Sequence, residues 1–163
     1  MRLMAVRPSL AAALAVALFC LLPAVPARAG DAPDPCATVT KEEAAKAIGS
    51  PVSSVKPMTV GPSRSCSFHG AKPLQGAVVT AFRWDSPAEA RARFGDMVKQ
   101  SASEFGAAPA KLEGAGDEAV TISSNVYARK GTAAYVFNVF GARTPALAAR
   151  TVALAKATMA RVH

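Results

Sequence analysis

The chain has 163 residues, 51% of them hydrophobic, with 19 Lys+Arg against 11 Asp+Glu and a formal net charge of +8. The length is one domain's worth and enough for a real core. The basic residues are scattered (Lys41, Lys46, Lys56, Arg64, Lys72, Arg83, Arg91, Arg93, Lys99, Lys111) and form no run of five or six, which speaks against a nucleic-acid partner.

Residues 1–29 read as a secretory signal peptide. Arg2 and Arg7 open it, AAALAVALFCLL is an uninterrupted apolar run, and Ala27-Arg28-Ala29 gives a small-x-small end. The run of about 12 residues is short of the ~20 that span a bilayer, and Pro23 and Pro26 follow it, so no stable membrane span is expected after cleavage. Cys20 follows Phe19, which is not the small residue that precedes a lipidated cysteine, and it leaves with the leader. Without those 29 residues the chain has 134. Loss of Arg2, Arg7 and Arg28 brings the basic residues from 19 to 16 against the same 11 acids, a net of +5.

Two cysteines remain, Cys36 and Cys66. In an oxidising compartment such a pair is expected to be bridged, and only one connectivity exists. Chain entropy assigns roughly 3–4 kcal/mol to closing a loop of this size. The competing reading is a metal site of Cys36, Cys66 and His69, drawn from SRSCSFHG at 63–70. A structural zinc wants four ligands in paired close spacings. The only other histidine, His163, stands at the last position. The disulfide is the expectation, with no metal and no cofactor, and His69 is expected at a surface turn beside Gly70.

GDAPDP (30–35) has no apolar periodicity and reads as a flexible stem; residues 36–163 read as a single domain. Thr40 with Glu43 forms a capping box for a helix over about 40–48, with Ala44, Ala47 and Ile48 on one face and Gly49 and Pro51 as its stop. SSVKPMTV, RSCSFH and GAVVTAFRW read as strands, the first an edge strand because of Pro57. In the third, Val78, Thr80, Phe82 and Trp84 share one face and Val79 and Ala81 the other. Ser86, Pro87 and Glu89 start a long helix with a second capping box, carrying a stripe of Ala90, Phe94, Met97, Val98, Ser101 and Phe105. After a loop with Gly114, Gly116 and Asp117 come the strands AVTISS, NVYARKG and TAAYVFNVFG, the last two joined at Lys130-Gly131-Thr132. Thr144-Pro145 starts a final helix to about residue 160, with a stripe of Leu147, Thr151, Leu154, Thr158 and Val162. The order is α-β-β-β-α-β-β-β-α. Short connections favour antiparallel pairing, and the fold expected is α+β with two layers, an antiparallel sheet with helices on one face.

Asp34-Pro35-Cys36, the helix residues Thr40, Glu43, Ala44, Ala45, Ile48 and Gly49, Cys66 with Phe68, the run Gly114, Gly116, Asp117, Glu118, Ala119, and the Lys130-Gly131 turn together resemble a family of small exported bacterial proteins of unknown function. Many of these are lipoproteins, and extracytoplasmic sensor-like domains of some bacterial kinases look similar. The resemblance implies an α+β fold, a bridge between the two cysteines and no catalytic residues. The absence of a lipobox here implies a freely soluble form, periplasmic or secreted.

No catalytic constellation is legible: there is no G-x-S-x-G, no H-E-x-x-H and no phosphate loop. GAGDEA lacks the Lys-Ser/Thr ending and precedes a strand, so it reads as a tight turn. Asp117 and Glu118, adjacent in a strand, are expected to point to opposite faces, poor for shared acid–base work. The reading is a non-enzymatic, monomeric binding or sensor-like module for an unknown small ligand. The alternative is an envelope structural or accessory protein acting through a protein partner, with the Pro57 edge and the polar stem as contact candidates. A third is a small hydrolase gathering His69 with an acid and a serine (Ser63 and Ser65 are nearby).

Overall fold

The computed structural model describes residues 30–141 and 146–163. The leader expected at 1–29 and the helix start expected at Thr144-Pro145 lie outside the described residues.

Asp34 opens the first element: its side chain accepts the Cys36 N–H at 2.9 Å and caps one turn, α1 (Pro35–Thr38). Thr40 and Glu43 then form the reciprocal box that starts α2 (Lys41–Ile48), with Glu43 N–H to Thr40 Oγ1 at 3.2 Å and Thr40 N–H to Glu43 Oε2 at 3.1 Å. Gly49, at φ 79°, closes it in the left-handed conformation that glycine adopts freely. Ala44, Ala47 and Ile48 are the buried face, as their spacing predicts. The lead segment 30–35 lies against the domain, with Ala32 and Pro35 buried.

The strands are β1 (Val52–Val60), β2 (Ser63–Gly70), β3 (Gly76–Arg83), β4 (Ala110–Lys111), β5 (Glu118–Ile122), β6 (Asn125–Lys130) and β7 (Ala133–Phe140). They form one antiparallel sheet in the order β1-β2-β3-β7-β6-β5-β4. Pro57 sits on an edge strand, as expected for a residue with no N–H to give a ladder. Two consecutive meanders meet where β3 pairs with β7. Among the described residues the strands number seven rather than six. The extra one is β4, two residues paired with Thr121 and Val120 of β5, too short to show any alternation in sequence.

The two-layer expectation is corrected: helices cover both faces. On β7, Ala133, Tyr135, Phe137 and Val139 join a core with Ala44, Ala47 and Ile48 of α2 and Leu154, Ala155 and Met159 of α4 (Ala146–Met159). Ala134, one residue out of phase, packs with Phe94 of α3 (Pro87–Phe105) and with Ile122 and Tyr127. Successive side chains on a strand point to opposite faces, so α3 lies across the sheet from α2 and α4. Seven strands with helices on both sides make a mixed α+β fold of three layers. Alternation exposes this split only once the helices are docked, because β3 and β7 carry apolar residues in both phases.

The helix stripes hold with two local differences. Thr151, Leu154 and Thr158 of α4 are buried. In α3, Ala90, Phe94 and Ser101 are buried, but Phe105 is 50% exposed at the last helical residue. Ser86 caps α3 by accepting the Glu89 N–H, while the Glu89 carboxylate lies 3.8 Å from Arg93 one turn on rather than completing the box.

Candidate functional site

Cys36 and Cys66 are joined by a disulfide, with Cα atoms 5.1 Å apart. Asp34 and Pro35 set α1 so that Cys36 reaches the buried Cys66 at the middle of β2, whose register partners are Pro57 and Val79. Both thiols are thereby removed from any reactive or ligand role. His69 is three residues beyond Cys66, an odd separation on a strand, and so belongs to the opposite face. Its register partners are Ser54 and Gly76. Among the described residues no group of three His, Cys, Asp or Glu side chains is gathered as a metal site. No helix among them is long and apolar enough to cross a membrane.

Asp117 and Glu118 do not diverge, contrary to the expectation from their adjacency. Asp117 stands one residue ahead of β5, outside the strand's alternation, and both carboxylates converge on Arg129. The Arg129 guanidinium is 3% exposed, with Nη1 3.2 Å from Asp117 Oδ2 and Nε 3.4 Å from Glu118 Oε2. The same Nη1 donates to Gly131 O at 3.0 Å, and Gly131 N–H donates to Asp117 Oδ2 at 2.8 Å. The Asp117 N–H in turn reaches Arg129 O at 2.8 Å. Gly116 permits this approach: at φ 87°, a Cβ there would stand 2.5 Å from Arg129 O. The two short motifs GAGDEA and Lys130-Gly131 are thus one physical unit, in which the acid of the first fixes the backbone of the second.

The turn held in this way forms one lip of a cleft of about 420 Å³. Its floor is the end of β3, β7 and β6 on the α2/α4 face. Arg83 pairs in register with Ala133, and Ala133 with Lys130, so two cations flank one methyl group. The next row on that face is Ala81, Tyr135 and Ala128. Pro33 and Thr38 line it on one side and Arg161, Val162 and His163 on the other. Tyr135 is buried; desolvation raises its hydroxyl pKa, against smaller opposing effects of the Thr38 side chain and the Arg83 charge. Arg161 is committed elsewhere, donating to both Glu43 oxygens at 2.6 Å and to Thr38 O at 2.9 Å. That hydrogen bonding is the main reason the Glu43 carboxyl lies below, and the Arg161 guanidinium above, its ordinary pKa. Among the described residues neither Arg83 nor Lys130 has a carboxylate within ion-pair distance.

Arg83, Lys130 and Tyr135 were each visible in the sequence as strand or turn residues, but their grouping was not. It depends on β3 and β6 flanking β7, a pairing between segments about 50 residues apart with no local signature. The only sequence hint was the Lys130-Gly131 turn. Neither a protein-family model nor a curated protein matches the chain.

Proposed function

We propose that the protein is an exported, non-catalytic, monomeric binding domain, sensor-like in character, and that the cleft between α1, the end of α4 and the β3-β7-β6 floor is its ligand site. The observation that carries this reading is the cleft itself: a concave space of about 420 Å³ lined by Tyr135 and by Arg83 and Lys130, neither of which has an ion-pair partner among the described residues. The leader sequence and the disulfide support export, because such bridges persist in oxidising compartments. The resemblance carried by Asp34-Pro35-Cys36 and the Gly116-Asp117-Glu118 turn points the same way. The non-catalytic reading rests on His69, whose cross-strand neighbours Ser54 and Gly76 bring it no acid.

The test is a ligand screen by amide NMR on protein purified after expression of the full chain. Saturable shifts centred on Gly131, Thr132 and Ala133 are the expected result. Turnover in a broad hydrolase screen, or saturable binding elsewhere, overturns it. A second reading, an envelope accessory protein acting through a protein partner, is favoured by one observation. The nine-residue edge strand β1 is mostly exposed, with Met58 53% and Val60 60% accessible. In-cell crosslinking from β1 that traps no protein would remove it.

A further inference from the structure

Resting on that reading of the cleft, we propose that its ligand is a small dianionic oxyanion, a dicarboxylate or a phosphoryl compound, held between Arg83 and Lys130. The sheet register supplies the geometry. Arg83 and Lys130 belong to one cross-strand row, one strand on either side of Ala133. Their Cα atoms are therefore two strand spacings apart, about 10 Å. Ala133 between them is small and buried, so the exposed Arg83 and half-buried Lys130 side chains reach past it and can converge on an anion at the mouth of the cleft. In the next row Ala81 and Ala128 flank Tyr135, so only the tyrosine fills that row.

Four nearby acids are engaged elsewhere, and a fifth, Asp31, is not but lies outside ion-pair distance of either cation. Asp117 and Glu118, beside the Lys130 turn, face Arg129, whose register places it with Tyr127 on the far side of the sheet. Glu43 is taken by Arg161, and the Asp34 side chain caps α1. Asp31 lines the adjoining groove with Arg64 and Arg83 and forms no ion pair there. Among the described residues neither cation thus has an ion-pair partner, and the floor beneath them, Ala133 and Tyr135, is buried, so an oxyanion there gains charge-assisted hydrogen bonds. Arginine offers a fork for two oxygens and lysine a mobile point charge. A ligand with two negative charges answers both, and one with a single charge leaves one cation unanswered.

The test titrates the purified full-chain product with succinate, inorganic phosphate, acetate and a neutral polyol at pH 7.5, following amide shifts of residues 130–133. Saturable binding of succinate or phosphate, at least tenfold tighter than acetate, is expected. The tighter of the two dianions names the source, carboxylate or phosphoryl. Arg83→Gln and Lys130→Gln are each expected to weaken that binding at least tenfold with an unchanged melting temperature. Acetate binding as well as succinate and phosphate, or both variants binding like the parent, overturns the proposal. Saturation of the cleft by the polyol with no response to either dianion overturns the anion class and leaves the cleft as a binding site. No saturable response from any screened compound at residues 130–133 overturns both.

Discussion

In the first meander, β1 buries no side chain fully, and Met58 and Val60 on it are more than half exposed. In the second, every residue of β6 from Asn125 to Arg129 is buried. The strands are alike in kind; their covers differ. Over β5, β6 and β7, α3 closes one face while α4 closes the other, and two buried polar residues of β6 are paired, Arg129 with Asp117 and Glu118 and Asn125 with Asn138, whereas the buried Thr158 hydroxyl of α4 has no partner. Over β1 and β2 only the α1/α2 side is covered. That half has less apolar surface to remove from water, and it is the half that carries the covalent tie from Cys36 to Cys66. Where packing covers one face only, a crosslink that constrains the unfolded chain supplies stability that a second helix supplies elsewhere.

Five perturbations test this contrast. The largest effect is expected from Phe94→Ala, which removes the α3 side chain packed on Ile122, Tyr127 and Ala134. A loss of about 3–5 kcal/mol in chemical unfolding is expected; a loss near 1 would show that α3 is a loose cover. Removing the bridge with paired Cys36→Ser and Cys66→Ser should lower stability by about 3–4 kcal/mol. Hydrogen exchange is expected to rise first in α1, β1 and β2, and a uniform rise would erase the distinction between the halves. Asp117→Ala takes one carboxylate from buried Arg129 and the acceptor from Gly131 N–H, and should cost about 2 kcal/mol. It should also broaden the amide signals of the 130–132 turn, a readout that simple destabilisation of β5 does not predict.

Glu43 links the halves through Arg161, and its carboxyl pKa is lowered from 4.5 chiefly by that hydrogen bond. Its contribution is therefore present in full above pH 4.5 and lost as pH falls through the lowered value. Glu43→Gln should flatten this part of the acid limb of stability against pH, with a loss at neutral pH of about 1 kcal/mol or less because Arg161 is 45% exposed. The smallest effect is expected on the uncovered face. Met58→Ser should fall within about 0.5 kcal/mol of the parent, and a larger loss would mean that something packs on β1.

Much of the local structure was legible because its causes are local. Thr40 and Glu43 hold each other's backbone at the start of α2, Ser86 caps α3 ahead of Pro87, and Pro57 disfavours a central strand. The bridge was legible by count once Cys20 was assigned to the leader. The misjudged features depend on distant partners. Asp117 and Glu118 read as divergent under strand alternation, yet Asp117 stands outside β5 and both turn toward a guanidinium eleven or twelve residues on. Phe105 fits the α3 stripe, but the helix ends there and leaves it half exposed.

The sequence by itself determined the elements apart from the one-turn α1 and the two-residue β4, the Thr40 and Ser86 caps, the edge position of β1 and the pairing of Cys36 with Cys66, since each follows from neighbouring residues or from elimination. The tertiary structure alone decided that α3 crosses to the far face. Val78, Thr80 and Phe82 and their neighbours Ala77, Val79 and Ala81 give β3 two apolar phases, and alternation has a period but no sign. It alone also set Arg83 beside Ala133 and Lys130, because cross-strand register between distant segments is fixed by the docked core and leaves no periodic trace in the chain.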